Sequence, residues 1–172
     1  MSAAEILDNL ARQIYKPHLL KLREDLSSIP EVLRIPILII DFDIEVHING
    51  ILGFLENSTG LYFVDTIDAL ETISAHVTAG VLRAIQRIMN EHGVAVQRLR
   101  SDFANTTEFE ITSFSELHGE ELSEMADLIV RESRKLYVYD RPAEQVFDLL
   151  SAYLDRHRDE FLASLEACCG PG

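Results

Sequence analysis

The chain is poor in cysteine, has no long apolar run, and carries no Lys or Arg over thirty consecutive residues. Its two cysteines, Cys168 and Cys169, are neighbours at the end of the sequence. Adjacent cysteines make a poor disulfide, because the bridge needs its Cα atoms farther apart than one peptide bond allows. No second pair exists to complete a zinc site, and the two thiols read as part of a terminal tail. The longest apolar candidate, Ile37 to Ile40, is cut off by Asp41 and Asp43, far short of the roughly 18 residues that cross a bilayer. Glu5 and Asp8 replace the basic-then-apolar opening of a signal peptide, so a cytoplasmic location away from membranes is the expectation. Catalytic signatures are missing too: there is no G-x-S-x-G elbow, P-loop or dinucleotide-binding glycine pattern. The six histidines (His18, His47, His76, His92, His118 and His157) lack ligand spacing. They read as surface or core histidines, and no metal or other cofactor is expected.

What remains is ordinary globular composition, 47% hydrophobic and 26% charged over 172 residues, enough for one domain with a sizeable core. The net charge of −14 is unevenly spread. Residues 1–60 hold nine acids and five bases, residues 61–100 four of each, and residues 101–172 sixteen acids and six bases. The stretch without Lys or Arg is Ser101 to Val130, with eight acids: Asp102, Glu108, Glu110, Glu116, Glu120, Glu121, Glu124 and Asp127. Such a run repels nucleic acid and anionic membrane, which excludes direct nucleic-acid binding as the leading reading. It would attract a basic partner, or serve only as a solvated face that aids solubility. Arg83, Arg87, Arg98 and Arg100 form the one basic concentration, and we expect them to pair with acids of the same protein or of a second subunit.

Hydrophobic periodicity predicts an all-α fold of about six to seven helices in a single domain, 1–172, with its acidic helical part at 101–168. Ile6, Leu7, Leu10 and Ile14 mark an amphipathic helix from Ala3 to Tyr15. A short run follows Pro17, and Ser27 to Pro30 breaks it. Ile35 to Ile40 has the β-branched look of a buried strand. However, Ile37, Ile40, Ile44, Ile48, Ile51 and Leu55 continue at helical spacing, and Pro36 suits a first turn, so we read a helix. Asn57 to Gly60 is a turn. Asp65 to His76 is the next helix, and Thr78 is placed to cap another that runs to Glu91 and stops at Gly93. Val94 to Thr112 reads as a loop or a small extended element. Ser113 and Glu116 have capping-box spacing and open a helix that continues to Leu136. A last helix begins near Pro142, and Gly170 to Gly172 is tail.

The segment Glu45 to Gly60 reads EVHINGILGFLENSTG. It places Gly50 and Gly53 inside a helical rhythm, at a cost of about 1 kcal/mol each relative to alanine. Either something packs close to the backbone or the helix is distorted there. This segment resembles the signature of the bacterial DNA-mimic protein family, roughly E-V-x-N-G-G-F-x-Q-F-F-x-N-S-x-G. Glu45, Val46, Gly50, Phe54, Asn57, Ser58 and Gly60 match directly, and Ile51, Leu55 and Thr59 match in character. Ala69 to Ala75 is similar to the family's A-L-x-x-I-G-A helix, at the right spacing. The departures are Ile48 and Asn49 where the family tends to have Asn and Gly, Gly53 for a glutamine, and Ser74 for a glycine. The clear likeness spans about residues 37–90. It implies an all-helical fold and, as in the named members, a homodimer whose acidic surface imitates DNA phosphates and occupies a DNA-binding protein.

The signature also has a purely structural reading, in which Glu45 accepts backbone N–H groups of the Asn57–Gly60 turn while Gly50 and Gly53 admit a neighbouring helix. Three functions therefore stay open. One is a non-catalytic acidic module that uses Glu108, Glu110, Glu116, Glu120, Glu121, Glu124 and Asp127 to bind a basic DNA-binding protein. The second is an immunity- or antitoxin-like inhibitor of a basic nuclease, which the same charges would serve. The third is an enzyme with a carboxylate site near Asp41, Glu45 and His47, since paired carboxylates can act as acid and base. A calcium loop over this segment is excluded, because Val46 and Leu52 stand where its glycine and bidentate glutamate belong.

Overall fold

A computed structural model of the chain describes residues 2–23, 25–104, 113–139 and 144–169, and shows ten α-helices and no strand among them. They are α1 (Ala3–Gln13), α2 (Pro17–Arg23), α3 (Glu31–Glu56), α4 (Phe63–Thr72), α5 (His76–Glu91), α6 (Val96–Ala104), α7 (Phe114–His118), α8 (Ser123–Ser133), α9 (Val146–Arg156) and α10 (Arg158–Cys169). Short 3-10 turns lie at Leu26–Ser28, Ser58–Tyr62 and Glu120–Leu122.

The axis is α3. From Ile35 to Phe42 every residue is buried, the pattern of a helix packed on all sides. Helices α1, α4, α6, α8 and α10 pack against it, α5 bridges α4 and α8, and α1 meets α9. One contiguous buried cluster results, running from Ala3 through the α3 isoleucines to Phe161. Pro30, not Pro36, marks the start of α3: the helix begins one turn earlier than expected and carries Pro36 inside it.

The count exceeds the expected six to seven for three local reasons. Residues 96–104, read as loop or extended, form α6; only Leu99 in it is fully buried, so the apolar rhythm there is faint. Gly119, at φ 102°, splits the helix expected from Ser113 into α7 and α8. His157, at φ −116°, splits the last one into α9 and α10. The start proposed near Pro142 and the Gly170–Gly172 tail lie outside the described residues, and α10 carries the helix as far as Cys169.

Side chains close three helix N-termini among the described residues. Ser2 and Glu5 form a capping box on α1, and Ser113 and Glu116 form the one expected on α7. Thr78, expected as a cap, instead sits inside the first turn of α5. The cap is Glu144, whose carboxylate accepts from Val77 N–H (3.0 Å), Thr78 N–H (2.7 Å) and the Thr78 hydroxyl (2.5 Å). An anion at this end also meets the positive pole of the helix dipole. Gly93 follows α5 at φ 66°, as expected of a helix stop.

Candidate functional site

The signature segment is where α3 bends. Gly50 has φ 70° and ψ −178° in mid-helix, a backbone state that side chains strain to adopt. The kink resets the apolar register: Ile48, read as part of the buried stripe, is 71% exposed, while Ile51 and Leu55 beyond it are buried. The distortion alternative therefore holds at Gly50, where the nearest atom to an added Cβ, the Tyr139 hydroxyl, is an ordinary contact at 3.9 Å. At Gly53 an added Cβ would overlap the Asn49 side chain of the same helix. These glycines accommodate the chain's own bend, not a neighbouring helix as expected.

Glu45 spans the bend. Its Oε2 accepts from the side-chain amides of Asn49 (2.9 Å) and Asn57 (2.6 Å), so it binds side chains rather than the backbone N–H groups anticipated. The Asn57 carbonyl in turn accepts from Gly60 N–H (3.0 Å) and from Arg100 Nε–H (3.1 Å), which ties α6 to the turn. A Cβ on Gly60 would stand 2.5 Å from the Leu55 carbonyl oxygen and 2.8 Å from that of Phe54. Phe54 meets Phe42 and Phe63 edge-on, with centroids 5.1 and 6.2 Å apart. Ser58 is exposed.

The residues considered for catalysis each take a separate partner. Asp41 pairs through Oδ2 with Arg23 Nε at 2.8 Å, while its Oδ1 has no hydrogen-bond partner among the described residues. Burial raises the Asp41 carboxyl to about 6, against the opposing pull of Arg23. His47 is half-exposed and meets its own helix at the Asp43 carbonyl (2.8 Å). Asp43 accepts from the Tyr137 hydroxyl at 2.7 Å, and burial pushes that phenol far above its ordinary range. Among the described residues no group of three or more His, Cys, Asp or Glu is placed to hold a metal ion.

The acidic run is only partly a free surface. Glu108 and Glu110 lie outside the described residues. Glu116 is engaged by Ser113, accepting from its backbone N–H (2.7 Å) and hydroxyl (2.8 Å), and this holds the carboxyl below its usual range. Glu121 lies 3.4 Å from Arg98, and Glu120 makes a long contact (3.5 Å) with the Ser123 hydroxyl. Glu124 and Asp127 are exposed on α8, with no side-chain hydrogen bond or ion pair among the described residues. Of the basic residues, Arg83 pairs with Glu71, and Arg98 with Asp102 and Glu121.

Sequence reasoning left out one cluster. The His118 side chain is fully buried, with Nδ1 2.9 Å from Asp102 and Nε2 2.7 Å from Glu56. Both ring nitrogens meet carboxylate oxygens, so each is positioned to donate. Phe114 packs on the ring at 4.4 Å, and the Arg98 guanidinium lies 4.0 Å from Asp102 and within reach of the His118 carbonyl. This cluster binds α7 to α3 and α6. Its three titratable members are 16 and 62 residues apart, a separation that no local motif spans.

No curated protein and no solved structure matches the chain. A family model does, that of the DMP19-like protein, where DMP19 stands for DNA mimic protein 19. The match takes in residues 27–157, well beyond the 37–90 core in which the likeness is legible by eye, and reaches from the start of α3 through the acidic helices to α9. Covering three quarters of the chain, that match shows that the protein belongs to the DMP19-like family.

Proposed function

We propose that this protein is a non-catalytic binding module that offers an acidic helical surface to a basic DNA-binding protein, in place of DNA. The observation that carries the reading is the acidic run 101–130, without Lys or Arg, in a chain of this family. Glu124 and Asp127 support it as exposed, unpaired acids three residues apart on one helix, where side chains are neighbours at about 5–6 Å between Cβ atoms. Glu120 and Glu121 extend the charge along the preceding turn, and Glu108 and Glu110 add to it from sequence. Glu116 contributes its charge while capping α7. The engagement of Asp41 by Arg23, of Glu45 by Asn49 and Asn57 and of His47 by its own helix speaks against the enzyme reading. A homodimer belongs to the proposal through the family likeness, and sedimentation equilibrium tests it.

The experiment is capture of partners from lysate of the source cells on immobilised full-length protein, followed by a salt gradient and by duplex DNA as competitor. A basic DNA-binding protein that elutes as salt rises, and that duplex DNA displaces, is the expected result. A partner that DNA fails to displace overturns the mimic and favours the inhibitor reading. Retention unchanged when Glu120, Glu124 and Asp127 are all converted to Lys removes the acidic surface from the account.

A further inference from the structure

A cleft of about 430 Å³ opens between α2 and the 58–62 turn, on elements that the acidic surface does not include. Leu20, Leu61 and Tyr62 give it apolar walls, and Arg23, Asp41 and Thr59 also line it. Its size falls in the roughly 300–1,000 Å³ range of small-molecule sites, which combine apolar walls with a few convergent polar groups.

Those polar groups are unusual in being left over. Asp41 is 5% exposed and Thr59 7%, yet Asp41 Oδ1 and Thr59 Oγ1 both lack a hydrogen-bond partner among the described residues. Buried polar atoms without partners are few in native proteins and call for an explanation. Arg23 is oriented but not used up. Its Nε is fixed on Asp41 at 2.8 Å and its guanidinium carbon lies 5.1 Å from the centre of the Tyr15 ring, while its terminal nitrogens donate to no group among the described residues.

The edge so formed sets a donor, the free N–H groups of Arg23, beside an acceptor, Asp41 Oδ1. Cation and anion neutralise each other, so a second anion would face Asp41 and a second cation would face Arg23. The complement is uncharged, with an acceptor next to a donor. We propose that this cleft binds a small, neutral, planar molecule through a carboxamide or lactam edge, its carbonyl on Arg23 and its N–H on Asp41 Oδ1, with the Thr59 hydroxyl as a third contact. Leu20 and Leu61, 40% and 46% exposed, form the rim. The two unpartnered oxygens are closed to bulk water, so the ring can enter only if the rim side chains shift.

The test is an NMR titration of the full chain at pH 7.5 with three probes of one size: benzamide, benzoate and benzylamine. Benzamide is expected to give saturable shifts around Arg23, Thr59 and Leu61 at or below about 10 mM, with benzoate and benzylamine at least fivefold weaker. Thr59→Val keeps the shape and removes the unpartnered hydroxyl, so it is expected to weaken benzamide at least fivefold while Tm holds or rises. Similar binding of all three probes, shifts centred elsewhere, no saturation in that range, or wild-type affinity in Thr59→Val would each overturn the proposal.

Discussion

Two glycines of positive φ, Gly50 and Gly119, break helices in the two regions that matter most here, and the regions around them are built to opposite rules. Near Gly50 the polar side chains turn toward one another: Glu45 takes both Asn49 and Asn57, and the Asn57 carbonyl takes Arg100. Beyond Gly119, on α8, Glu124 and Asp127 turn outward and meet solvent, whereas Glu116 and Glu121 beside the glycine are engaged by Ser113 and Arg98. Groups of the first kind are tied into the fold, and their loss costs stability. Groups of the second kind cost the fold little and are free to act on something else. Family likeness covers both regions, so a residue's match to the family pattern does not say which rule it obeys; its partners do.

His118 joins the two regions, because Glu56 ends the signature helix and Asp102 opens the acidic run. The largest effect should come from breaking that join. His118→Ala leaves two carboxylates facing a cavity without their shared partner, and each buried polar group left unsatisfied costs about 1–3 kcal/mol. Urea unfolding should show this loss, and a cost under about 1 kcal/mol would mean that the cluster does not hold α7 in place. Gly60→Ala comes next. Its methyl would press on the carbonyl oxygens of Leu55 and Phe54, and overpacking of this kind costs about 1–3 kcal/mol. An unchanged Tm would show that the Asn57–Gly60 turn gives way easily.

Asp41 makes the inward rule depend on pH. Its folded carboxyl is raised from 3.8 to about 6, so between these values the folded state holds more proton than the unfolded one. The contribution is fully present below about pH 4 and is lost as pH rises through 6. At 1.36 kcal/mol per unit the change is about 2–3 kcal/mol. The stability difference between wild type and Asp41→Asn should fall by that amount between pH 4 and pH 7, and a flat difference would remove burial as the dominant influence on this carboxyl.

Much of this architecture is legible in the chain, and the reason lies in range. Capping by Ser113 and Glu116 and the stop at Gly93 involve residues within a turn of each other and are read from spacing alone. At Gly50 spacing leaves close packing and distortion as alternatives, and the structure selects distortion. The contacts that define the candidate sites reach farther. Arg23 finds Asp41 across 18 residues, His118 finds Glu56 across 62, and Glu144 caps α5 from 66 residues away. Periodicity is silent on such pairs, because it says which face of a helix is buried but not which helix covers it. Thr78 was the natural local candidate for the cap, and a distant carboxylate took the position.

Ser74 sharpens the comparison at smaller scale. It occupies φ 69° after α4, where the family pattern has glycine, and its backbone N–H bonds the Glu71 carbonyl. This backbone state is one that glycine adopts freely, and the chain fills it with a strained serine. Ser74→Gly should relieve the left-handed penalty and stabilise by about 0.5–1 kcal/mol, seen as a rise in Tm of about 1–4 °C. A fall would mean that the serine side chain makes a contact worth more than the strain.

The smallest effect on folding should accompany the largest effect on binding. Conversion of Glu120, Glu124 and Asp127 to Lys touches exposed side chains outside the buried cluster, and surface changes of this sort move stability by about 0.5 kcal/mol or less each. Each reversal also relieves repulsion in a chain of net charge −14, which favours the folded state slightly. A triple variant that unfolds like wild type but no longer retains a basic partner separates the two rules cleanly. A variant that loses more than about 2 kcal/mol would show that these acids belong, like Glu45, to the inward network, and the outward surface would then have to be sought elsewhere on the molecule.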